Sequence, residues 1–275
     1  MPRRSRLDQV LEDAVEYFME HGFSNKERLE YWSNRIASIL EQLGAGLDAV
    51  ERQLRVHLLD VYRRAVERGG ILRAHPTVER FTLDRVAPRL RNELTRRIMA
   101  SADLIKLNRE EAIAKTMKRF SGWASSVPAG GSGTDETKAA IRKEIAKPIQ
   151  RLPFVERRVL IDQAATLNSS ISAVLASDAG AIAAEWRSNW RQLNYSYRED
   201  HKERDGKIYL IRDSWAQRKG FVKPGPVGCT DQIEQPAELP FCRCYYRYLY
   251  NLNQLPKDML TRKGAAELER VRSAA

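Results

Sequence analysis

The stretch Phe241-Cys242-Arg243-Cys244-Tyr245-Tyr246-Arg247-Tyr248-Leu249-Tyr250 decides the fold class, because here the side-chain period changes. Tyr246, Tyr248 and Tyr250 alternate in strand fashion and read as one packed face rather than a platform for stacking bases. Cys-x-Cys on a strand puts Cys242 and Cys244 on one face as well, two residues apart. Lys207-Ile208-Tyr209-Leu210-Ile211 is a second strand candidate by its β-branched and aromatic content. The two strands are expected to pair in a small antiparallel sheet. Seven of the ten tyrosines lie between Tyr195 and Tyr250, and Pro and Gly become frequent there, as in a compact module with short strands.

Upstream the period is helical. Leu7, Val10, Leu11, Ala14, Val15 and Phe18 fall three and four apart, and Gly22 closes that stripe as a C-cap residue. A second helix is expected from Asn25 to Leu43, stopped by Gly44-Ala45-Gly46. A third carries Val50, Leu54, Leu58, Val61, Tyr62 and Ala65 on one face until Gly69-Gly70. Leu83, Val86, Leu90, Leu94 and Ile98 repeat the pattern, with Pro88 expected to kink or divide the element. After the small, polar, Gly-rich stretch Ser125 to Thr134, the helical pattern resumes from Asp135 to Leu175 with Pro148 and Pro153 as interruptions. A last long helix is expected over about Ala179 to Leu193.

The expected architecture is therefore mainly α, a helical bundle-like amino-terminal region with a small α+β carboxy-terminal module of short antiparallel strands. Its parts are a helical region over 1–124, a linker or loop over 125–134 and a second helical region over 135–194. The small module follows over 195–252, then a charged tail, helical or disordered, over 253–275.

Charge and composition narrow the function. A chain of 275 residues with 43% hydrophobic and 30% charged content has room for a real core. The net charge of +11 favours an anionic partner such as DNA. It is not focused, since residues 191–275 carry 16 Lys+Arg against 11 Asp+Glu and residues 1–190 carry 31 against 25. Arg85, Arg89 and Arg96 share a helical face that can touch DNA phosphates, and a solvated face opposite Leu83, Val86, Leu90 and Leu94 explains them equally well. No segment approaches the roughly 20 apolar residues that span a bilayer, so no membrane partner is expected. The start of the chain runs into an amphipathic pattern rather than an apolar signal core. The glycines of the 125–134 stretch lack the Lys-Ser or Lys-Thr and the preceding strand of a phosphate loop, and His-Glu-x-x-His, Gly-x-Ser-x-Gly and Gly-x-Gly-x-x-Gly are absent. His21, His57 and His75 are isolated and read as surface or satisfied histidines. No catalytic residue is expected.

The three cysteines fall within sixteen residues, after 228 positions with none, and an odd number argues against a disulfide framework. His201, Cys229, Cys242 and Cys244 supply the number and type of ligand that a tetrahedral Cys3His zinc site needs. Their spacing departs from zinc-finger knuckles, and the alternative is a reduced module in which the thiols pack as small hydrophobes.

Tyr197-Arg198-Glu199-Asp200-His201-Lys202-Glu203-Arg204-Asp205-Gly206 resembles the Arg-x-x-His-x-x-x-x-Gly element of the Mu F-like minor head proteins of tailed bacteriophages. Pro224-Gly225 and Phe241-Cys242-Arg243-Cys244 are similar to that family's Pro-Gly and closing Cys-Arg-Cys elements, in the same order. The match covers about 60 to 70 residues. The resemblance implies a non-enzymatic head morphogenesis protein, made in the host bacterial cytoplasm and present in few copies in the virion, at the capsid interior or portal vertex. It implies portal or major capsid protein as partner, and the positive charge adds packaged DNA as a further candidate contact. Only 31 residues follow Cys244, too few for the toxin or enzyme domains fused to some members. Arg198, His201, Asp205, Gly206, Pro224, Gly225, Arg243, Tyr246 and Tyr248 are the residues expected to carry structure or contact, with Arg243 either exposed on an edge strand or paired with Asp200 or Asp205. The competing function is a zinc-stabilised nucleic-acid-binding protein or metal-dependent nuclease.

Overall fold

The computed structural model describes residues 5–44, 47–128 and 134–273, so Ala45, Gly46 and the glycine-rich centre of the expected linker, residues 129–133, lie outside the described residues. The chain divides into two compact units, one of residues 1–54 and 100–159, the other of residues 55–99 and 160–275.

The first unit begins with α1 (Arg6–His21), whose start is capped by Ser5 accepting from the Asp8 amide at 3.1 Å. Gly22 ends it at φ 65°, donating to Phe18 O at 2.8 Å. Helix α2 (Lys26–Gly44) is capped by the Asn25 side chain, which accepts from the Arg28 amide at 2.9 Å. The α1 stripe of Leu11, Ala14, Val15 and Phe18 packs with Trp32, Ile36 and Leu40 of α2 and with Phe120, Ala124, Ile145 and Ala146.

The second unit takes the latter half of α3 (Leu47–Tyr62), which runs into a single π turn at Arg63–Glu67 and then a 3-10 turn after Gly69 at φ 70°. Two long helices, α4 (Arg80–Ala124) and α5 (Asp135–Asp178), lend residues to both units. Pro88 does not divide α4, and Pro148 and Pro153 do not interrupt α5. An interior proline costs about 3 kcal/mol. Leu83, Val86, Leu90 and Leu94 around Pro88 are all buried, at about 1.5–3 kcal/mol each. Packing therefore wins over the lost hydrogen bond. The hydropathy reading is corrected in one place: α5 holds an 18-residue window of mean hydropathy 1.2, long and apolar enough to cross a membrane by length and composition alone. Leu167, Ile171 and Leu175 of α5 are fully buried, while 28% of the window as a whole is buried.

The helix expected over 179–193 is absent. Helix α5 stops at Asp178, where Gly180 takes φ 77° and donates to Ser177 O at 3.3 Å while Ala181 N donates back to Ala176 O at 2.9 Å, the two bonds of a Schellman cap. The chain then enters β1 (Ala183–Arg187). After α6 (Glu199–Glu203) come β2 (Ile208–Leu210) and α7 (Trp215–Arg218), and then β3 (Tyr245–Leu249). The two expected strands exist but do not pair with each other. The sheet order is β2-β1-β3, all antiparallel, with Ala184 opposite Tyr209 on one side and Tyr248 on the other. Ala183, Ala184 and Trp186 are fully buried, so β1 is the central strand of the module. Helix α8 (Arg262–Ser273) closes the chain, its Gly264 lying so near the Phe221 carbonyl that a Cβ would come within 2.0 Å of that oxygen.

Two glycines thus make opposite predictions for the same substitution. Gly264→Ala should lower the urea midpoint by an amount worth about 1–3 kcal/mol, the cost of overpacking. Gly122→Ala, in α4 with nothing within 4 Å of the added carbon, should raise it by about 0.5–1 kcal/mol. Equal shifts for the two variants would contradict this packing.

Candidate metal centre

Three side chains from two separate segments converge beside β1. His201 sits on α6, fully buried, with its ring edge-on to Trp186 at 5.1 Å. Gly206 makes the return to β2 at φ 78°, its amide donating to Trp186 O at 2.8 Å. Cys242 and Cys244 precede β3 rather than lying on it, and the strand alternation already holds there: both are buried, and Arg243 between them is exposed. His201 Nδ1 lies 3.5 Å from Cys242 Sγ and 3.4 Å from Cys244 Sγ. Around a tetrahedral ion with bonds of about 2.0–2.1 Å to nitrogen and about 2.3 Å to sulfur, nitrogen and sulfur stand about 3.6 Å apart. The three atoms already have nearly that separation. His201, Cys242 and Cys244 form a group that could hold a metal ion.

The surroundings orient this group. His201 Nε2 meets Glu234 Oε1 at 3.3 Å, so the ring proton is donated there and the Nδ1 lone pair faces the sulfurs. Glu234 is held by Arg204 at 3.0 Å, and that guanidinium, through its hydrogen bond, keeps the carboxyl below its ordinary range. The thiols behave as a pair. Cys242 is lowered to about 5 by the hydrogen bond from Cys244, with the Cys244 and Ala237 amides and His201 acting the same way, against burial. Cys244 is raised by its contact with Cys242 and by burial, while Ser188 and Trp186 act to lower it.

Cys229 is not brought to this group. It packs on the other face of the sheet with Ile182, Ala183, Leu210, Leu249 and Met259, bridges Leu210 in parallel fashion, and has its thiol raised by burial. The four expected ligands are therefore divided three to one by the sheet. The remaining motif residues brace the module. Arg198 donates to Pro240 O at 3.0 Å, tying α6 to the cysteine loop. Asp205 accepts from Ser188 N at 2.9 Å and Trp190 Nε1 at 3.2 Å. Gly225, after Pro224, bridges Gly228, and a Cβ on it would come within 3.1 Å of Met259. Arg243 donates to Gln192 at 2.8 Å and lies over the Tyr195 ring at 4.9 Å, rather than pairing with Asp200 or Asp205. Tyr246 and Tyr248 are packed edge to face at 5.8 Å, buried, and both hydroxyls are raised by that burial. Of the arginines expected to touch DNA, Arg85 and Arg89 both pair with Asp178, and Arg96 pairs with Glu93 at 2.7 Å. All three guanidinium groups stay exposed, and Arg85 and Arg89 share a single carboxylate.

No family model, curated protein or solved structure matches the chain. The site is thus described by its own geometry. One of its residues was not singled out in the sequence: Glu234 lies in a loop and has no motif to mark it. Outside the centre, His75, read as surface or satisfied, is of the satisfied kind: it is fully buried, hydrogen-bonded through Nδ1 to the Tyr250 hydroxyl and through Nε2 to Ser172 Oγ at 2.9 Å, and stacked on Tyr248 at 5.6 Å.

Burial pushes His75 down from 6.5 to about 4. The unfolded chain takes up this proton below about pH 6.5 and the folded chain only near pH 4, so the contribution is whole above pH 6.5 and is lost as pH falls through that window. The full loss amounts to about 3 kcal/mol. Urea unfolding between pH 7 and 4 should show this slope in the wild type and a shallower one in His75→Gln. Equal slopes would contradict it.

Proposed function

We propose that the chain is a minor capsid protein of a tailed phage or prophage, acting in head assembly through a carboxy-terminal module fastened by one zinc ion. The observation that carries this reading is the meeting of His201 with Cys242 and Cys244. These residues belong to the first and last of the three elements that resemble the Mu F-like family, some forty positions apart in sequence, and they form one cluster in space. Two thiolates and an imidazole are soft and borderline donors, which favours zinc over magnesium or calcium. His201 Nδ1 and the two Sγ atoms would hold the ion, which supplies a cross-link between α6 and the start of β3.

A fastened module suits a binding part better than a moving one. The sheet is three short strands, and a core of that size gains from a cross-link. Tyr245 and Phe241 are exposed beside Arg243, a set of residue types enriched at protein interfaces. Portal or major capsid protein is the partner this reading assigns, at few copies per virion.

Elemental analysis should find about one zinc per chain. Cys242→Ser should abolish it and lower the melting temperature, Cys229→Ser should leave the metal in place, and Glu234→Gln should weaken binding about 10–100-fold as loss of the carboxylate behind a ligating histidine does. Metal-free wild-type protein would end the zinc reading. For the assembly role, quantitative mass spectrometry of purified procapsids and mature heads should find the chain in both, and its absence from both would end that reading.

A further inference from the structure

Zinc sites that only hold a fold are closed by four protein ligands, whereas three protein ligands leave a position for water or another donor. Among the described residues three such side chains converge here. The fourth that the sequence offers by residue type, Cys229, is committed to the opposite sheet face. His75 is bonded to Ser172 and Tyr250, and His21 Nδ1 to Tyr17 O at 3.0 Å. The nearby carboxylates are engaged elsewhere: Glu234 and Asp200 lie on the Nε2 side of His201, away from the sulfurs, and both pair with Arg204, while Asp205 accepts from Ser188 N and Trp190 Nε1. Ser188 Oγ is 3.7 Å from Cys244 Sγ, a contact to the sulfur by a neutral hydroxyl.

Beside the cluster there is room. Cys244 lines a cavity of about 280 Å³, together with Arg243, Tyr246 and, from α5, Ala165, Asn168 and Ser169. The Tyr246 hydroxyl is buried with no hydrogen-bond partner among the described residues, and Arg243 and Asn168 bring further donors to the same wall. A water alone would leave most of this volume unfilled.

We propose that the metal centre is completed from outside the chain: His201, Cys242 and Cys244 are its protein ligands, and the fourth coordination position is exchangeable, open to a single nitrogen or anionic donor in the cavity beside Cys244. Imidazole and small anions are the chemical class this position accepts. The inference rests on the metal reading above, and cobalt(II) separates the two because its visible spectrum reports the ligand set directly. Full-length protein loaded with cobalt(II) should bind one ion per chain, and Cys229→Ser should show the same stoichiometry and the same sulfur-to-cobalt charge-transfer intensity. Adding imidazole, or azide in a second titration, should shift the visible bands saturably while the cobalt stays with the protein through desalting. A spectrum that neither probe moves, or one whose sulfur intensity falls by about a third in Cys229→Ser, would overturn the open position while leaving the metal in place. Failure of the wild type to bind cobalt(II) at all would overturn the metal reading and this inference with it.

Discussion

The two hydrogen-bond ladders on either side of β1 are the constraint from which the carboxy-terminal module follows. A strand buried on both faces must have its backbone groups paired on both edges, since each amide left unpaired costs about 1–3 kcal/mol. β2 and β3 meet that requirement, and each brings a different part of the site. The return through Gly206 that aligns β2 also fixes α6, and with it His201. The approach to β3 carries Cys242 and Cys244 past Trp186, on the same side as that histidine. The cluster is thus a by-product of strand pairing, which alone brings together the three side chains that could hold a metal ion.

Electrostatics then favours what the ladders assemble. Two thiols and an imidazole that are all buried can hold little charge on their own, and burial of the sulfurs opposes their ionisation. A divalent cation with two thiolates and a neutral imidazole sums to zero net charge, so ion and ligands together avoid most of the penalty that either would meet alone. The carboxylate behind the imidazole adds a second layer. Glu234 is paired with Arg204, so its charge is already matched within the chain. It can hold the His201 tautomer without drawing the imidazole away from the sulfurs.

Much of the helical part was legible because its signals are local. Ser5, Asn25 and Gly22 mark helix ends by hydrogen bonds within four residues, and a stripe such as Leu7 to Phe18 needs no distant partner to be read. The strand β1 was not legible for the same reason in reverse. Ala181-Ile182-Ala183-Ala184-Glu185-Trp186 has the composition of a helix, and only the partners on both sides make it a strand. Gly180 did carry the stop signal, and alanine propensity hid it. The proline expectations failed from weighing a local cost without the burial that offsets it.

The division of the cysteines shows where spacing stops being informative. Cys242 and Cys244 stay together because two residues of extended chain return a side chain to the same face, a rule that holds even before β3 formally begins. Cys229 lies on a loop whose path is set by its bridge to Leu210, at the outer edge of β2. Leu210 N points outward to Gly228 O, and that single bond at 3.1 Å fixes Cys229 among the apolar side chains of the far face. Moving it to the histidine would require giving up that edge bond and opening the cluster around Met259 and Leu249. A sheet face is a stronger determinant of which side chains meet than residue type, which is why Cys229 is left out of the group that its chemistry would fit.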